Sequence, residues 1–427
     1  MIPNPTTPTS AAERAAALDA ADSLARFHDR FVQHPDVVSY LDGNSLGRPL
    51  EATRDRLAQL VETTWAGRLI RAWDETWMDE PTRLGDTIGR VAIGAAPGQT
   101  VVADSTTVLL YKLVRAALDA RPDRGEIVAD TENFPTDRFI LEGVAAETGR
   151  SIRWITPDPA AGVTVDEVRA VVGSDTALVL LSHVAFKSGY IADMTAITAV
   201  AHEAGALVLW DLCHSAGSID VRLDEAGADL AVGCTYKYLN GGPGAPAFAY
   251  VAEGLHGALR QPIQGWLGTA DPFAMTDTYA PSAGIRQVIS GTPPILGMQP
   301  MQDMLELIDE AGDERSGETG IEAIRRKSLA LTEFVIDYAD EHLARFGVRV
   351  ISPRDPAVRG SHVTLEHPDF RRLTAELWER GVIPDFRPPQ GMRIGLSPLS
   401  TSFAEVATGL GVLTELLERG AAAATDA

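Results

Sequence analysis

A chain of 427 residues is too long for one ordinary domain, and 45% apolar against 22% charged residues is enough to bury a sizeable core. A formal net charge of −22 argues against nucleic-acid binding, which needs clustered Lys and Arg. Two cysteines, Cys213 and Cys234, argue for a reducing compartment rather than a disulfide scaffold, and no long uninterrupted apolar run offers a membrane span.

The start, Met1-Ile2-Pro3-Asn4-Pro5, has no basic stretch ahead of an apolar run, which predicts a cytoplasmic protein without a signal peptide. The Pro/Thr-rich residues 1–9 and the Ala-rich residues 420–424 predict loose ends. Between them, Asp104-Ser105-Thr106-Thr107 stands ahead of an apolar helical run over 108–118. Strand-like runs follow at 126–130, 152–155, 177–181, 206–210 and 230–232, with helical segments between several of them, as at 165–172 and 196–204. This alternation, with near-continuous apolar strands, predicts a mostly parallel sheet covered on both faces. Beyond about residue 300 the pattern changes to a long amphipathic helix (320–345), short strands at 348–351 and 362–365, and two further helices. That reads as a smaller α+β domain.

Active sites of such sheets lie beyond the carboxyl ends of the strands, so those positions carry the search for chemistry. Asp211 closes one apolar run, and Lys237 stands just past the next. A lysine amine that can reach an aldehyde carbon, with a carboxylate that keeps a pyridine nitrogen protonated, is the pair that pyridoxal 5′-phosphate (PLP) requires. Alone, a strand-ending Asp is an ordinary turn residue and a Lys is ordinarily solvated. The Ser105-Thr106-Thr107 run at a helix start supplies hydroxyls and backbone amides for a phosphate, although an N-cap alone explains one of them.

The order of several motifs extends the argument. They are Tyr40-Leu-Asp-Gly-Asn-Ser-Leu-Gly47, Phe134-Pro-Thr-Asp137, Ser182-His-Val184, Asp211-Leu-Cys-His214, Thr235-Tyr-Lys-Tyr-Leu-Asn240, Gly265-Trp266, Gly291-Thr-Pro-Pro-Ile-Leu296 and Arg393-Ile-Gly395. On these the chain resembles the kynureninases, over almost its whole length. The resemblance implies an α/β, fold-type-I PLP enzyme with a mostly parallel seven-stranded sheet. It divides the chain into an N-terminal arm (1–48), a large PLP-binding domain (49–305) and a small α+β domain (306–427). It implies that Lys237 is the Schiff-base lysine and the base at the substrate α-carbon, with Tyr236 as a proton donor. Asp211 is implied as the pyridinium partner and Phe134 as the ring-stacking residue. Thr106, Thr107 and Tyr236 become phosphate ligands, and Asp137, Ser182 and His214 line the cofactor. Trp266 and Thr292 are implied to reach the phosphate from a second subunit, hence a homodimer. Arg393 would clamp the substrate α-carboxylate, with Asn44 and Ser45 beside it. The implied reaction is hydrolysis of L-kynurenine or its 3-hydroxy form to anthranilate, or 3-hydroxyanthranilate, and L-alanine.

The chain departs from the family pattern on the substrate side. Thr269 stands where bacterial members carry a His after Gly-Trp-x-Gly, Ser400 replaces a Tyr, and His183-Val-Ala-Phe-Lys187 replaces His-Val-Asn-Tyr-Lys. A paralogue acting on another amino acid, a class V aminotransferase and a cysteine desulfurase therefore remain as alternatives. Gly43-Asn-Ser-Leu-Gly47 also fits a serine-hydrolase nucleophile elbow, but it precedes the strands such a fold needs. Two cysteines twenty-one residues apart and the His362/His367 pair offer no metal cluster.

Overall fold

The computed structural model describes residues 10–425, with side chains through residue 422. Its main sheet has seven strands: β1 (Thr100–Ala103), β2 (Glu126–Asp130), β3 (Ser151–Ile155), β4 (Thr176–Ser182), β5 (Leu207–Asp211), β6 (Leu230–Gly233) and β7 (Ala247–Val251). Their spatial order is β1-β7-β6-β5-β4-β2-β3. Only β7 runs antiparallel to its neighbours, so the other six carboxyl ends share one edge.

The apolar runs are continuous because both faces are covered. Along β4, Val179 and Leu181 enter one hydrophobic cluster while Leu178 and Leu180 enter the other, and all four are fully buried. The predicted strands at 126–130, 152–155, 177–181, 206–210 and 230–232 all form. Strands β1 and β7 escaped sequence reading, since apolar runs of four or five residues do not reveal their period.

A second sheet is four-stranded and antiparallel, of Asp385–Arg387, Gly391–Gly395, His362–Glu366 and Arg349–Val350, in that order. The predicted helix over 320–345 runs as an α-helix over Gly320–Tyr338, a π turn over Ala339–Leu343 and a 3-10 turn over Ala344–Phe346. The early helix Ala11–Ala21 packs on the last helix, Phe403–Thr425. Both carboxylate oxygens of Asp19 accept from the Phe403 and Ala404 amides at 2.8 Å, an anion at a helix N-terminus.

Two expectations need correction or limits. The end over 420–424 is not loose: the last helix continues through it, in keeping with the helix propensity of Ala. The start, 1–9, lies outside the described residues. No helix among the described residues is long and apolar enough to cross a membrane.

Candidate active site

The shared strand edge gathers the predicted residues because each follows one of the parallel strands. Thr106 and Thr107 open α1 (Thr106–Asp119) just past β1, and Phe134 precedes α2 (Pro135–Thr148) past β2. Ser182 and Asp211 end β4 and β5, and Lys237 lies four residues past β6. Lys237, Asp211, Phe134, Thr106, Thr107 and Ser182 border one cavity of about 470 Å³, part of it open to solvent. Asp137, His214 and Tyr236 complete its wall, with Cys213 and with Thr136 and Phe186, to which sequence reading had given no role.

Lys237 Nζ lies 5.9 Å from the Phe134 ring centroid and 6.0 Å from that of Tyr236. Phe134 is braced edge-on by Phe186, with ring centroids 5.3 Å apart. Asn133, also unforeseen, orients this wall: its Oδ1 accepts from the Phe134 amide and the Ser182 hydroxyl, both at 2.7 Å. Asp211 is buried, and its Oδ1 accepts from the Cys213 amide at 2.8 Å. At the α1 terminus the Ser105 hydroxyl caps the Val108 amide at 3.4 Å, which leaves Thr106 and Thr107 free of that job. Behind them the buried Lys112 ties Asp104 (3.2 Å) to Ser290 (2.7 Å) and to the Val288 carbonyl.

The electrostatics separate the carboxylates. Burial, with Asp211 and Asp130 close by, pushes Asp137 well above the usual carboxyl range, so it stays protonated. Burial holds His214 neutral, helped by the charges of Lys237 and Arg393. Burial pushes the Tyr236 phenol upward, so it keeps its proton. Asp137 Oδ2 and His214 Nδ1 are buried without a hydrogen-bond partner. Unsatisfied polar atoms on a cavity wall, beside an acid, an amine and a hydroxyl-rich helix start, fit a polar aromatic phosphate ester. A wider open groove bordered by Asp220, Glu306, Asp309 and Glu322 is acidic and does not suit an anion.

Asp130, next to Asp137, has its carboxyl pushed from the usual 3.8 up to about 7, chiefly by burial. The folded chain thus holds this proton more tightly than the unfolded one. The associated stability is complete below about pH 4 and is lost as pH rises through 7. Asp130→Asn, which mimics the neutral acid, is expected to gain stability over the native chain between pH 5 and 8, by up to about 4 kcal/mol. Urea unfolding at several pH values checks this; a difference independent of pH contradicts it.

The remaining predicted residues lie outside this wall. Arg393 is buried and gives Nε to Asp385 Oδ2 at 2.7 Å, Nη1 to the Phe186 carbonyl at 2.9 Å and Nη2 to the Ser45 hydroxyl at 3.0 Å. Asp385 had no sequence signal beyond its charge. Asn44 is buried against Gly395, and neither polar atom of its side chain has a partner. The elbow reading of Ser45 fails on position. Its loop follows the short strand Ser39–Tyr40, which pairs with Val382–Ile383 outside the main sheet, and its hydroxyl serves Arg393. Trp266 and Thr292 are exposed and do not border the Lys237 cavity of their own chain. The Trp266 indole donates to the Pro272 carbonyl at 2.6 Å.

Strand order, cavity and charge pattern together define a class V aminotransferase-type enzyme of fold type I, and its cofactor is PLP. The class V aminotransferase family model matches residues 90–364, and the model described as kynureninase C-terminal domain matches 324–413. Kynureninase from Pseudomonas fluorescens is 42% identical over 410 residues, 94% of each chain, and kynureninase from Burkholderia pseudomallei (strain 1106a) is 40% identical over 412 residues, 95% of each. The chain belongs to the kynureninase family. Among solved structures, apo cysteine desulfurase from Thermococcus onnurineus NA1 superposes with a TM-score of 0.76 at 20% identity, covering 90% of this chain and 95% of that one, which is a likeness of fold.

Proposed function

We propose that this protein hydrolyses the Cβ–Cγ bond of L-kynurenine, or of its 3-hydroxy form, releasing the anthranilate and L-alanine. The observation that carries the reading is the placing of Lys237 and Asp211 on one cavity in a chain of this family. Bound PLP supplies an electron sink for negative charge developing on the substrate's carbons. The chain's own residues do the rest. Lys237 holds the cofactor and then moves the proton at the substrate α-carbon. Asp211 would pair with the ring nitrogen, while Asp137, its carboxyl raised by burial, would offer a hydrogen bond without a second charge. Thr106 and Thr107, at the start of α1, would hold the phosphate, and Phe134 would cover one ring face. Ser182 and His214 would line the ring. Tyr236, protonated, is a phosphate ligand and a proton donor to the departing side.

The substrate carboxylate goes to Arg393, taking over the two Nη groups now shared with Ser45 and the Phe186 carbonyl, while Asp385 keeps Nε in place. Asn44, buried without partners, stands beside that exchange. The exposure of Trp266 and Thr292 supports a homodimer in which they complete the phosphate site of a second copy. The two free thiols support a cytoplasmic setting. A desulfurase needs a mobile nucleophilic thiol, whereas Cys213 and Cys234 are both buried at strand ends.

The test is incubation of the PLP-loaded protein with kynurenine and with 3-hydroxykynurenine, reading anthranilate fluorescence and alanine. Release of both products without any keto acid is expected. Turnover that requires a keto acid acceptor, or none with either substrate, would remove this function and leave the fold standing.

A further inference from the structure

Cys213 and Cys234 are the chain's two cysteines, and the chemistry above uses neither. Strands β5 and β6 are parallel neighbours, with Asp211 opposite Val232 and the Leu212 amide donating to the Val232 carbonyl at 2.7 Å. Each cysteine lies two residues beyond that pair on its own segment, so the register carries them to facing positions. The Cys234 amide donates to Cys213 Sγ at 3.2 Å, and the Cys234 thiol points to the Cys213 carbonyl at 3.8 Å. Neighbouring strands stand about 4.8 Å apart, within the roughly 4.4–6.8 Å that a disulfide spans between Cα atoms. Both side chains are buried, yet Cys213 forms part of the cavity wall beside Lys237. A small solute in the cavity therefore reaches Cys213, whereas Cys234 does not border it.

We propose that Cys213 and Cys234 form an oxidation site, closed to a disulfide by a hydroperoxide and reopened by a thiol reductant, at the base of the cofactor cavity. The Cys213 sulfur attacks the O–O bond of hydrogen peroxide; a sulfenic acid forms, and the displaced hydroxide leaves as water with the thiol's proton. The Cys234 sulfur then attacks the sulfenic sulfur; the S–S bond forms, and the hydroxyl leaves as a second water with the Cys234 proton. Two thiols are oxidised by two electrons, and one peroxide is reduced to two waters. Access sets this order, since Cys213 borders the cavity and Cys234 does not. The neighbouring Cys234, and burial, raise the Cys213 thiol, which makes its attack on peroxide the slow step. Burial opposes ionisation of Cys234 too, but the neighbouring Cys213 and the charge of Lys237 outweigh it and lower that thiol, which favours the closing attack. The Cys213 amide also holds Asp211 Oδ1, so drawing Cys213 toward Cys234 disturbs the carboxylate that faces the cofactor.

The experiment treats the full chain, loaded with PLP or stripped of it, with excess hydrogen peroxide. Thiols are then counted after denaturation and peptides are weighed. The stripped chain is expected to lose both thiols and the mass of two hydrogens, with one Cys213–Cys234 cross-link, and dithiothreitol should restore both thiols. The loaded chain should react about tenfold more slowly, because the cofactor covers Cys213. Cys234→Ser, shown by circular dichroism to be folded, should gain oxygen at Cys213 and form no internal cross-link. Oxygen added to the native chain without the cross-link, a bridge between two chains, thiols that survive in the stripped chain, or equal rates with and without PLP would each overturn the proposal.

Discussion

Replacing Lys237 by Ala is expected to lower kcat/KM for kynurenine by at least about 10⁴-fold and to leave a protein that is colourless after desalting. The size follows from the two tasks that fall on one amine, holding the cofactor and moving the α-proton. Among the described residues no other lysine borders the cavity, so nothing nearby takes over. Lys237 is only half-buried and stands at a cavity rather than in a packed core, so its truncation leaves no strained void. The circular dichroism and unfolding midpoint of the variant should therefore match the native chain's. Absorbance of the PLP-loaded proteins before and after desalting, with anthranilate production alongside, gives the answer. A variant that stays yellow through desalting, or keeps activity within about tenfold, would sink the assignment of this residue.

Asp211→Asn should lower kcat by roughly 10²–10⁴-fold, with a smaller change in KM. The amide has the same shape and can still accept from the Cys213 amide, so the strand end is preserved and the loss is one of charge. An uncharged partner no longer holds a proton on the ring nitrogen, and the cofactor becomes a weaker electron sink. Asp137 cannot substitute, because burial beside Asp211 and Asp130 already keeps it neutral. Removing the Asp211 charge relieves part of that pressure, so the pH profile of the variant should shift as well as fall. Kinetics across pH distinguish this from general disruption, which lowers rates without moving the profile. A variant with near-native kcat and an unmoved profile would show that the ring nitrogen does not depend on Asp211.

Five of the seven main strands were legible because a buried parallel strand needs apolar residues on both faces, and Ala177-Leu-Val-Leu-Leu181 has them. The ends of those runs then pointed to Ser182, Asp211 and Lys237 without any knowledge of the rest. Strands β1 and β7 were not legible, nor were the roles of Asn133 and Phe186, since each depends on what lies opposite it in space. Arg393 was legible as a candidate clamp from its motif. Its partner Asp385 lies eight residues away on a neighbouring antiparallel strand, with nothing in composition or spacing to mark it.

From residue order alone came the strand–helix alternation, the strand-end acid and lysine, and the hydroxyl-rich helix start, because periodicity and local chemistry are carried by neighbours in the chain. Which strand lies beside which, and hence that Cys213 meets Cys234 and that burial beside Asp211 and Asp130 raises Asp137, was settled only by tertiary packing. Contacts between residues far apart in sequence, and the exclusion of water that shifts a proton equilibrium, exist only once the sheet has closed around them.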